Sequence, residues 1–281
     1  MKVLILGYNG MVGHVIALYF KERGHEVLGY DITKSNIINS LTGSFHSEYQ
    51  IRKIINDGNF DAVINCTAIV NQFAEEDKAE AAFINAYFPH FLEDVTRGTN
   101  TIVVHRSTDC IFSGNRGQYA VNDIPDAISF YARTKIIGEL LNEKDITIRT
   151  SLVGPEQDNN GIGLLNWFRL QKEQLNGYVN AIWTGLTTDE FAREIEYLIN
   201  KRAHGLFHCV PSYAISKFEL LELFEKQFPN NRKLNKIENK RVDKSLIQSI
   251  GTYGLQIPSY DDMIQMMSHW IEKHKELYPK Y

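Results

Sequence analysis

The chain has 281 residues, of which 43% are hydrophobic and 23% charged, a balance typical of one or two globular domains. Its net charge of −4, with both signs mixed along the sequence, argues against nucleic acid as a partner. No apolar run approaches the ~20 residues that span a membrane, and three cysteines without C-x-x-C spacing predict reduced thiols in a cytoplasmic protein.

The first 31 residues form a strand–helix–strand pattern. Residues 3–6 are uninterruptedly apolar, which predicts a strand buried on both faces of a parallel sheet. An amphipathic helical pattern follows, and then a second apolar strand that ends in Asp31. Three glycines at a spacing of three residues, Gly7, Gly10 and Gly13, stand at the turn from the first strand to the helix.

Each glycine of this turn has a chemical reason if the turn binds a dinucleotide. Gly7 permits a tight turn, Gly10 lets the backbone approach a pyrophosphate, and Gly13 lets the helix pack on the strand. The helix N-terminus attracts phosphate, and Asp31, 24 residues after Gly7, is placed to hold an adenosine ribose. The alternative is an ordinary strand–helix turn whose glycines serve packing alone. The surrounding strand, helix and terminal acid favour nucleotide binding.

The remaining predicted elements continue the alternation. A polar loop covers residues 32–47. Further strands are predicted at 61–68, 101–105, 146–150 and 206–210, and helices at 49–55, 75–97, 130–142, 164–175, 187–200, 216–228 and 260–274. The sequence therefore predicts an α/β fold, a Rossmann-like doubly wound parallel sheet with helices on both faces over residues 1–155. Residues 156–281 are expected to form mainly a smaller C-terminal α/β substrate-binding region, with later segments able to return to the sheet.

Tyr131 and Lys135 lie four residues apart on a predicted helix and share one face. Because a neighbouring ammonium group favours phenolate, this spacing gives a tyrosine whose pKa can be lowered for general acid catalysis. The alternative is a surface pair without a catalytic role. Two hydroxyl residues and an acid, Ser107, Thr108 and Asp109, follow the strand predicted at 101–105. The carboxyl end of such a strand is where α/β enzymes place reactive groups.

This order of motifs resembles the extended short-chain dehydrogenase/reductase superfamily, and within it the dTDP-4-dehydrorhamnose reductases and related nucleotide-sugar 4-ketoreductases. The matching segments are Gly7-x-x-Gly10-x-x-Gly13, Asn65-Cys66-Thr67-Ala68, Ile84-Asn85-Ala86, Ser107-Thr108-Asp109-Cys110-Ile111-Phe112, Tyr131-x-x-x-Lys135 and Arg149-Thr150-Ser151. The resemblance implies NAD(P)H-dependent reduction of the 4-keto group of a nucleotide-linked 6-deoxyhexulose. A nucleotide-diphosphate sugar is then the expected partner, in deoxysugar or surface polysaccharide biosynthesis.

The resemblance also implies roles for individual residues. Tyr131 would protonate the forming alkoxide, Lys135 would lower the tyrosine pKa and hold the nicotinamide ribose, and Thr108 would orient the carbonyl oxygen. The implied cofactor-binding residues are Gly7, Asn9, Gly10, Met11, Val12, Gly13, Asp31, Cys66, Thr67, Ala68, Asn85, Tyr131 and Lys135. The implied substrate-binding residues are Thr108, Asp109, Cys110 and Trp183. Cys110 departs from the family, which commonly has tyrosine there.

Several questions stay open at this point. Asp31 should repel a 2′-phosphate and favours NAD(H), whereas Lys34 nearby leaves NADP(H) possible. A nucleotide-sugar epimerase or dehydratase with tightly bound NAD, or a non-catalytic regulatory subunit, would share this fold. A homodimer is possible. No metal site is expected, because Gly205 breaks the only His pair at helical spacing, His204 and His208.

Overall fold

The computed structural model describes residues 1–158, 161–239 and 241–281. The strands of its main sheet are β1 (Lys2–Leu6), β2 (Glu26–Asp31), β3 (Asn39–Thr42), β4 (Ala62–Asn65), β5 (Ile102–Ser107), β6 (Ile146–Arg149) and β11 (Gly205–His208). They lie in the order β11-β6-β5-β4-β1-β2-β3, and all paired neighbours are parallel. The predicted Rossmann-like sheet is confirmed.

Helices cover both faces of this sheet. They are α1 (Gly13–Glu22), α2 (Glu48–Gly58), α3 (Gln72–Glu76), α4 (Lys78–Ala81), α5 (Phe88–Val95), α6 (Phe130–Ile137), α7 (Leu164–Leu170), α8 (Thr188–Asn200), α9 (Lys217–Gln227) and α10 (Tyr260–Lys273). Among the described residues, we find no helix whose length and hydropathy would suit a membrane span.

Strand β1 shows why its sequence is apolar throughout. Val3 and Ile5 belong to the hydrophobic core that includes α1, α8 and α10, whereas Leu4 and Leu6 belong to the core that includes α2 and α5. All four side chains are fully buried. Because successive side chains of a strand point to opposite faces, burial on both faces requires a continuous apolar run.

The sheet also locates a cleft. Strands β2 and β3 extend it on one side of β1, and β4, β5, β6 and β11 extend it on the other. The chain therefore crosses over in opposite directions from β1 and β4, and their carboxyl ends leave a crevice between the connections. The glycine turn follows β1, and Cys66 to Ala68 follow β4.

The C-terminal part of the chain adds three small sheets. β7 (Leu152–Val153) pairs with β10 (Leu186–Thr187), β9 (Ala181–Trp183) pairs with β12 (Ile215–Ser216) and β14 (Val242–Asp243), and β8 (Gln174–Tyr178) pairs with β13 (Lys233–Ile237). Meanwhile α8 packs on α1, and β11 is the edge strand beside β6. Residues beyond 155 thus contribute to the main sheet as well as to the smaller sheets.

Two predicted segments have a different secondary structure. The expected loop at 32–47 contains β3, an exposed edge strand whose backbone pairs only with β2 and whose side chains need no apolar alternation. The helix expected at 164–175 ends at Leu170, and β8 begins at Gln174 because β13, some sixty residues later, supplies its pairing partner.

Three further elements have different bounds. Helix α6 ends at Ile137 rather than 142, where Gly138 packs so closely on the Asn85 carbonyl that a Cβ would overlap it. Strand β5 continues through Ser107, two residues further than expected. The helix expected at 75–97 begins at Gln72 and is interrupted by a π-helical segment, Ala82–Tyr87. Pro89 then lies in the first turn of α5, where its missing N–H costs no helical hydrogen bond.

Candidate active site

The glycine turn at the end of β1 is held by its own backbone. Gly7 has a φ of 75°, in the left-handed region, and a Cβ there would lie 3.1 Å from the Thr67 nitrogen. A Cβ on Gly13 would overlap the Gly7 carbonyl oxygen. A Cβ on Gly10 would meet nothing closer than that oxygen at 3.5 Å. Protein packing therefore requires the first and third glycines, while Gly10 leaves its open side to the crevice.

Asp31 ends β2 beside this turn. Its Oδ2 accepts the Asn9 backbone N–H at 2.9 Å, and its Oδ1 accepts that of Ile32 at 2.7 Å. The Asn9 side chain in turn donates to the Thr33 carbonyl at 2.6 Å. Each carboxylate oxygen retains a free lone-pair direction, so Asp31 can still accept a ligand hydroxyl.

A cavity of about 380 Å³ lies at the crevice, and we call it the glycine-turn cavity. Its walls come from the turn after β1, the ends of β4 and β5, helix α6, the strand β7 region and the start of α7. Its lining residues include Gly10, Met11, Val12, Cys66, Ala68, Arg106, Thr108, Asp109, Cys110, Tyr131 and Glu156. Nine predicted cofactor or substrate residues from four separate chain segments are thereby brought together.

Tyr131 also borders a second cavity of about 510 Å³, which we call the loop cavity because residues 112–129 form much of its wall. Cys110 and Asn71 line both cavities as well. Two contacts fix the first turn of α6: the Ser129 hydroxyl caps the Ala132 N–H at 3.2 Å, and Glu75 accepts the Phe130 N–H at 2.6 Å. The phenol consequently stands between two cavities.

Burial raises the pKa of Tyr131 to about 12. The positive charge of Arg106 and a hydrogen bond with Thr108 act in the opposite direction on this pKa. Sequence reasoning assigned this charge effect to Lys135; in the structure the largest opposing charge is that of Arg106. The Tyr131 side chain is therefore a phenol, not a phenolate, at neutral pH.

Lys135 is 1% exposed, and its Nζ donates to the Arg106 carbonyl at 2.7 Å and lies 3.2 Å from His105 Nε2. Burial lowers the pKa of Lys135 to about 7; Arg106 lowers it further, and Glu139 opposes the change. The amine thus changes its protonation near neutral pH.

A chain of hydrogen bonds supports this assignment. Asn65 Oδ1 accepts from both the N–H and the hydroxyl of Thr67, so its amide N–H group faces His105 Nδ1 at 3.2 Å. Nδ1 then accepts, and the ring proton belongs on Nε2, directed at Lys135. Since an N–H donor faces Lys135, the neutral amine, which has a lone pair, is favoured there.

Eight predicted residues line neither cavity: Gly7, Gly13, Asp31 and Lys135, described above, and four more whose contacts are as follows. Thr67 packs behind Gly7, and Asn9 holds Thr33. Asn85 brackets the backbone N–H and carbonyl of Ile69 at 3.0 and 2.8 Å, which fixes the segment after β4. Trp183 is buried in β9 and forms the platform on which Lys217 Nζ sits, 4.6 Å from the ring centre.

Asp109, a predicted substrate-binding residue, interacts electrostatically with Lys217 and Lys244. Burial raises the pKa of its carboxyl group, while Lys244 and Lys217 oppose this. Burial lowers the pKa of Lys217 to about 8, and Asp109 opposes that change. Burial also raises the pKa of Cys110 to about 11, so this thiol stays protonated at neutral pH. The charges of two lysines therefore act on one buried acid that lines the glycine-turn cavity.

A buried ion pair anchors the end of β5. Arg149 contacts both carboxylate oxygens of Glu139 at 2.7 Å, and Ser107 donates to the same carboxylate at 2.6 Å. The side chains of this pair are 4% and 3% exposed. The network ties β6, β5 and the residues after α6 together and so fixes Thr108 relative to Tyr131.

Sequence reasoning assigned no role to Arg106 and Glu156, which line the glycine-turn cavity, or to His105 and Lys217, which act on Lys135 and Asp109. The sequence could have indicated Arg106 and His105, because both are basic residues that interrupt the apolar run of β5. Among the described residues, no group of three or more His, Cys, Asp or Glu side chains is arranged to hold a metal ion.

The chain is similar to known proteins in sequence and in fold. The profile of the family described as "RmlD substrate binding domain" matches residues 1–246. A dTDP-4-dehydrorhamnose reductase of Mycolicibacterium smegmatis is 31% identical over 141 residues, which are 49% of this chain and 40% of that protein. The chain thus covers less than half the length of that relative.

Two further similarities extend over more of the chain. The spore coat polysaccharide biosynthesis protein SpsK of Bacillus subtilis is 27% identical over 78% of this chain and 76% of its own length. The crystal structure of a Bacillus anthracis dTDP-4-dehydrorhamnose reductase in complex with NADP has a TM-score of 0.80, with 20% identity over 96% of this chain and 99% of that chain. The latter likeness shows the fold.

Proposed function

The chain belongs to the RmlD substrate-binding domain family, and we propose that it is an NAD(P)H-dependent reductase of the 4-keto group of a nucleotide-linked 6-deoxyhexulose. The observation that carries this proposal is the position of Tyr131, which borders both the glycine-turn cavity and the loop cavity, the former shared with Thr108. A proton donor between a dinucleotide site and a sugar site is what carbonyl reduction requires.

The residues at the glycine turn fit a dinucleotide. Gly10 has open space where a side chain would otherwise enter the cavity, and Asp31 is available to a ribose hydroxyl. Gly7, Met11, Val12 and Gly13 would shape the pyrophosphate site, and Cys66 and Ala68 the wall beside the nicotinamide. The cofactor supplies a hydride to the ketone carbon.

The side chains of the protein handle the proton and the developing charge. Thr108 would donate a hydrogen bond to the carbonyl oxygen and orient it. Tyr131, protonated at neutral pH because of its raised pKa, would give its proton to the alkoxide as it forms. Arg106 would stabilise the resulting phenolate, and Lys135 would reach the nicotinamide ribose.

A third cavity, of about 600 Å³, supports a nucleotide-linked substrate. It is lined by Trp167, Tyr178, Leu164 and Lys217 among others, and Leu164 also lines the glycine-turn cavity. We propose that the base lies against these aromatic side chains and that Lys217 and Lys244 bind the diphosphate, while Asp109 and Cys110 contact the sugar. Trp183 would act on the substrate by supporting Lys217.

We propose NADH rather than NADPH as the preferred reductant. A 2′-phosphate would bring negative charge next to the Asp31 carboxylate, which the Asn9 and Ile32 N–H groups hold in place. The Bacillus anthracis relative is described with NADP, so the preference needs a direct measurement. Asp31→Asn should narrow the difference between the NADH and NADPH dissociation constants; an unchanged ratio would refute the assignment.

The decisive experiment incubates purified protein with NADH or NADPH and several nucleotide-linked 4-ketohexoses. Stoichiometric loss of absorbance at the reduced-nicotinamide band and an NMR-defined alcohol product are expected. Tyr131→Phe should abolish turnover and leave NADH affinity nearly unchanged, with Tyr49→Phe, a change at an exposed tyrosine, as the control. Interconversion of sugars without net NADH loss would identify an epimerase or dehydratase instead. Binding without any turnover would favour a regulatory subunit.

Two further features remain proposals. Cys66, Cys110 and Cys209 are all free thiols, which supports a location in the reducing cytoplasm. Several apolar side chains on the outer faces of the helical layer are exposed, including Tyr87 and Ile137, and a homodimer would cover such residues. Light scattering of the purified protein measures the oligomeric state directly.

A further inference from the structure

Arg106 brings a positive charge into the glycine-turn cavity. It is the fifth residue of β5, and its side chain lines the cavity together with Gly10, Cys66 and Tyr131. Its charge acts on the pKa values of both Cys66 and Tyr131, which places the guanidinium near each of them. These are the residues proposed above to surround the nicotinamide.

No acid among the described residues forms an ion pair with Arg106, and its buried Nε has no hydrogen-bond partner. The two acids that line the same cavity are engaged elsewhere. Glu156 accepts the Gly163 N–H at 2.9 Å, and Asp109 accepts the Thr108 hydroxyl at 3.2 Å. Lys135, the other nearby base, is buried with a lowered pKa and supplies no negative charge that could balance Arg106.

An unbalanced cation at this place has a consequence for the cofactor. The oxidised nicotinamide ring carries one positive charge and the reduced ring carries none, whereas the phosphates are the same in both forms. We propose that Arg106 makes the cavity select the reduced cofactor over the oxidised one by repelling the charged ring. This proposal rests on the proposed function, because it takes the cavity as the nicotinamide site.

The selection suits a reductase. It favours capture of the reduced dinucleotide and release of the oxidised one after each hydride transfer. An epimerase or dehydratase, which must retain its oxidised cofactor, would gain nothing from a cation at this position. Arg106 is therefore assigned a specificity-determining role that is separate from proton transfer by Tyr131.

The test measures dissociation constants of NADH, NAD⁺ and ADP-ribose by isothermal titration calorimetry, without ketosugar and at one fixed pH. If NADPH binds more tightly than NADH, the measurement uses NADPH and NADP⁺ in place of NADH and NAD⁺. Wild-type protein should bind the reduced form at least about tenfold more tightly than the oxidised form, as expected for two charges a few ångströms apart in a partly solvated site. Equal affinities in the wild type would overturn the proposal without any variant.

Three variants assign the effect to the residue. Arg106→Met should reduce the ratio of the two dissociation constants by about tenfold, mainly by tightening NAD⁺. Arg106→Lys keeps the charge and should keep most of the ratio. Arg133→Met, at an exposed arginine of α6, should leave it unchanged.

The outcomes separate this inference from the proposed function. If Arg106→Met weakens NADH, NAD⁺ and ADP-ribose equally, the guanidinium binds phosphate and the inference is wrong, although the reductase proposal survives. If the wild type binds no dinucleotide, the proposed function fails and the inference fails with it.

Discussion

Replacing Lys135 with methionine should reduce the pH dependence of the free energy of unfolding. The lysine side chain is 1% exposed, and its pKa falls from 10.5 to about 7 because burial disfavours the ammonium form. Methionine keeps the length of the side chain but carries no ionisable group. The comparison therefore isolates the free-energy cost of holding a proton at this position.

The sign follows from the two pKa values. Between about pH 7 and 10.5 the unfolded chain holds the lysine proton while the folded protein has lost it. Unfolding then takes up a proton, so the free energy of unfolding rises with pH, by up to about 1.4 kcal/mol per pH unit. From pH 7 to pH 9 this contributes about 2 kcal/mol to the wild type and nothing to Lys135→Met.

Urea denaturation at pH 7 and pH 9 measures the effect. The stability of the variant relative to the wild type should fall by about 2 kcal/mol between these pH values. The Arg106 carbonyl, which loses its donor, adds a constant offset of about 1–3 kcal/mol and does not affect this change. Lys53→Met, at a side chain that is 62% exposed, is the control and should show no such change. A constant difference between wild type and Lys135→Met would refute the buried, low-pKa lysine.

Three further substitutions test separate parts of the structure. Glu139→Gln should lower the free energy of unfolding, measured by urea denaturation, by about 3–5 kcal/mol, because it leaves Arg149 buried without its carboxylate. The control Asp57→Asn, at an exposed side chain, should change this free energy by under about 0.5 kcal/mol. Gly13→Ala forces the added Cβ against the Gly7 carbonyl, so NADH affinity measured by fluorescence should fall, and wild-type affinity would contradict the packing argument. Ser216→Ala removes the capping box of α9 and should cost about 1 kcal/mol while NADH affinity stays unchanged.

The elements predicted correctly from the sequence are those whose signal is local. β1 is buried on both faces, and its apolar run contains that information in four consecutive residues. The start of α9 is equally local, because Ser216 and Glu219 form the capping box within one turn. These features need no knowledge of distant parts of the chain.

The elements that were wrong depend on distant partners. β3 exists because β2 offers it a free edge, and β8 exists because residues 233–237 pair with it. Neither strand has the alternation that would distinguish it from a loop or a helix end. α6 stops early because Gly138 meets the Asn85 carbonyl, a contact about fifty residues away in sequence.

The same distinction applies to the site. Parallel strand topology was enough to bring Thr108, at the end of β5, close to the glycine turn at the end of β1. It could not show that Lys135 turns towards the Arg106 carbonyl and His105, because that orientation depends on side-chain contacts across three elements. Nor could it show that Arg106 reaches the cavity without an acidic partner.

Part of the stability cost of the fold lies where the proposed chemistry occurs. His105, Arg106 and Lys135 place three basic groups on neighbouring positions, and their mutual repulsion adds to burial in lowering the pKa values of His105 and Lys135. A core selected only for stability would have apolar side chains at these positions, as β1 does. Buried ionisable groups with shifted pKa values are typical of functional sites, and here they lie near one phenol beside an open glycine turn. These buried basic groups, of which Arg106 carries the charge, are therefore best explained by the anionic dinucleotide and the developing alkoxide that they would stabilise.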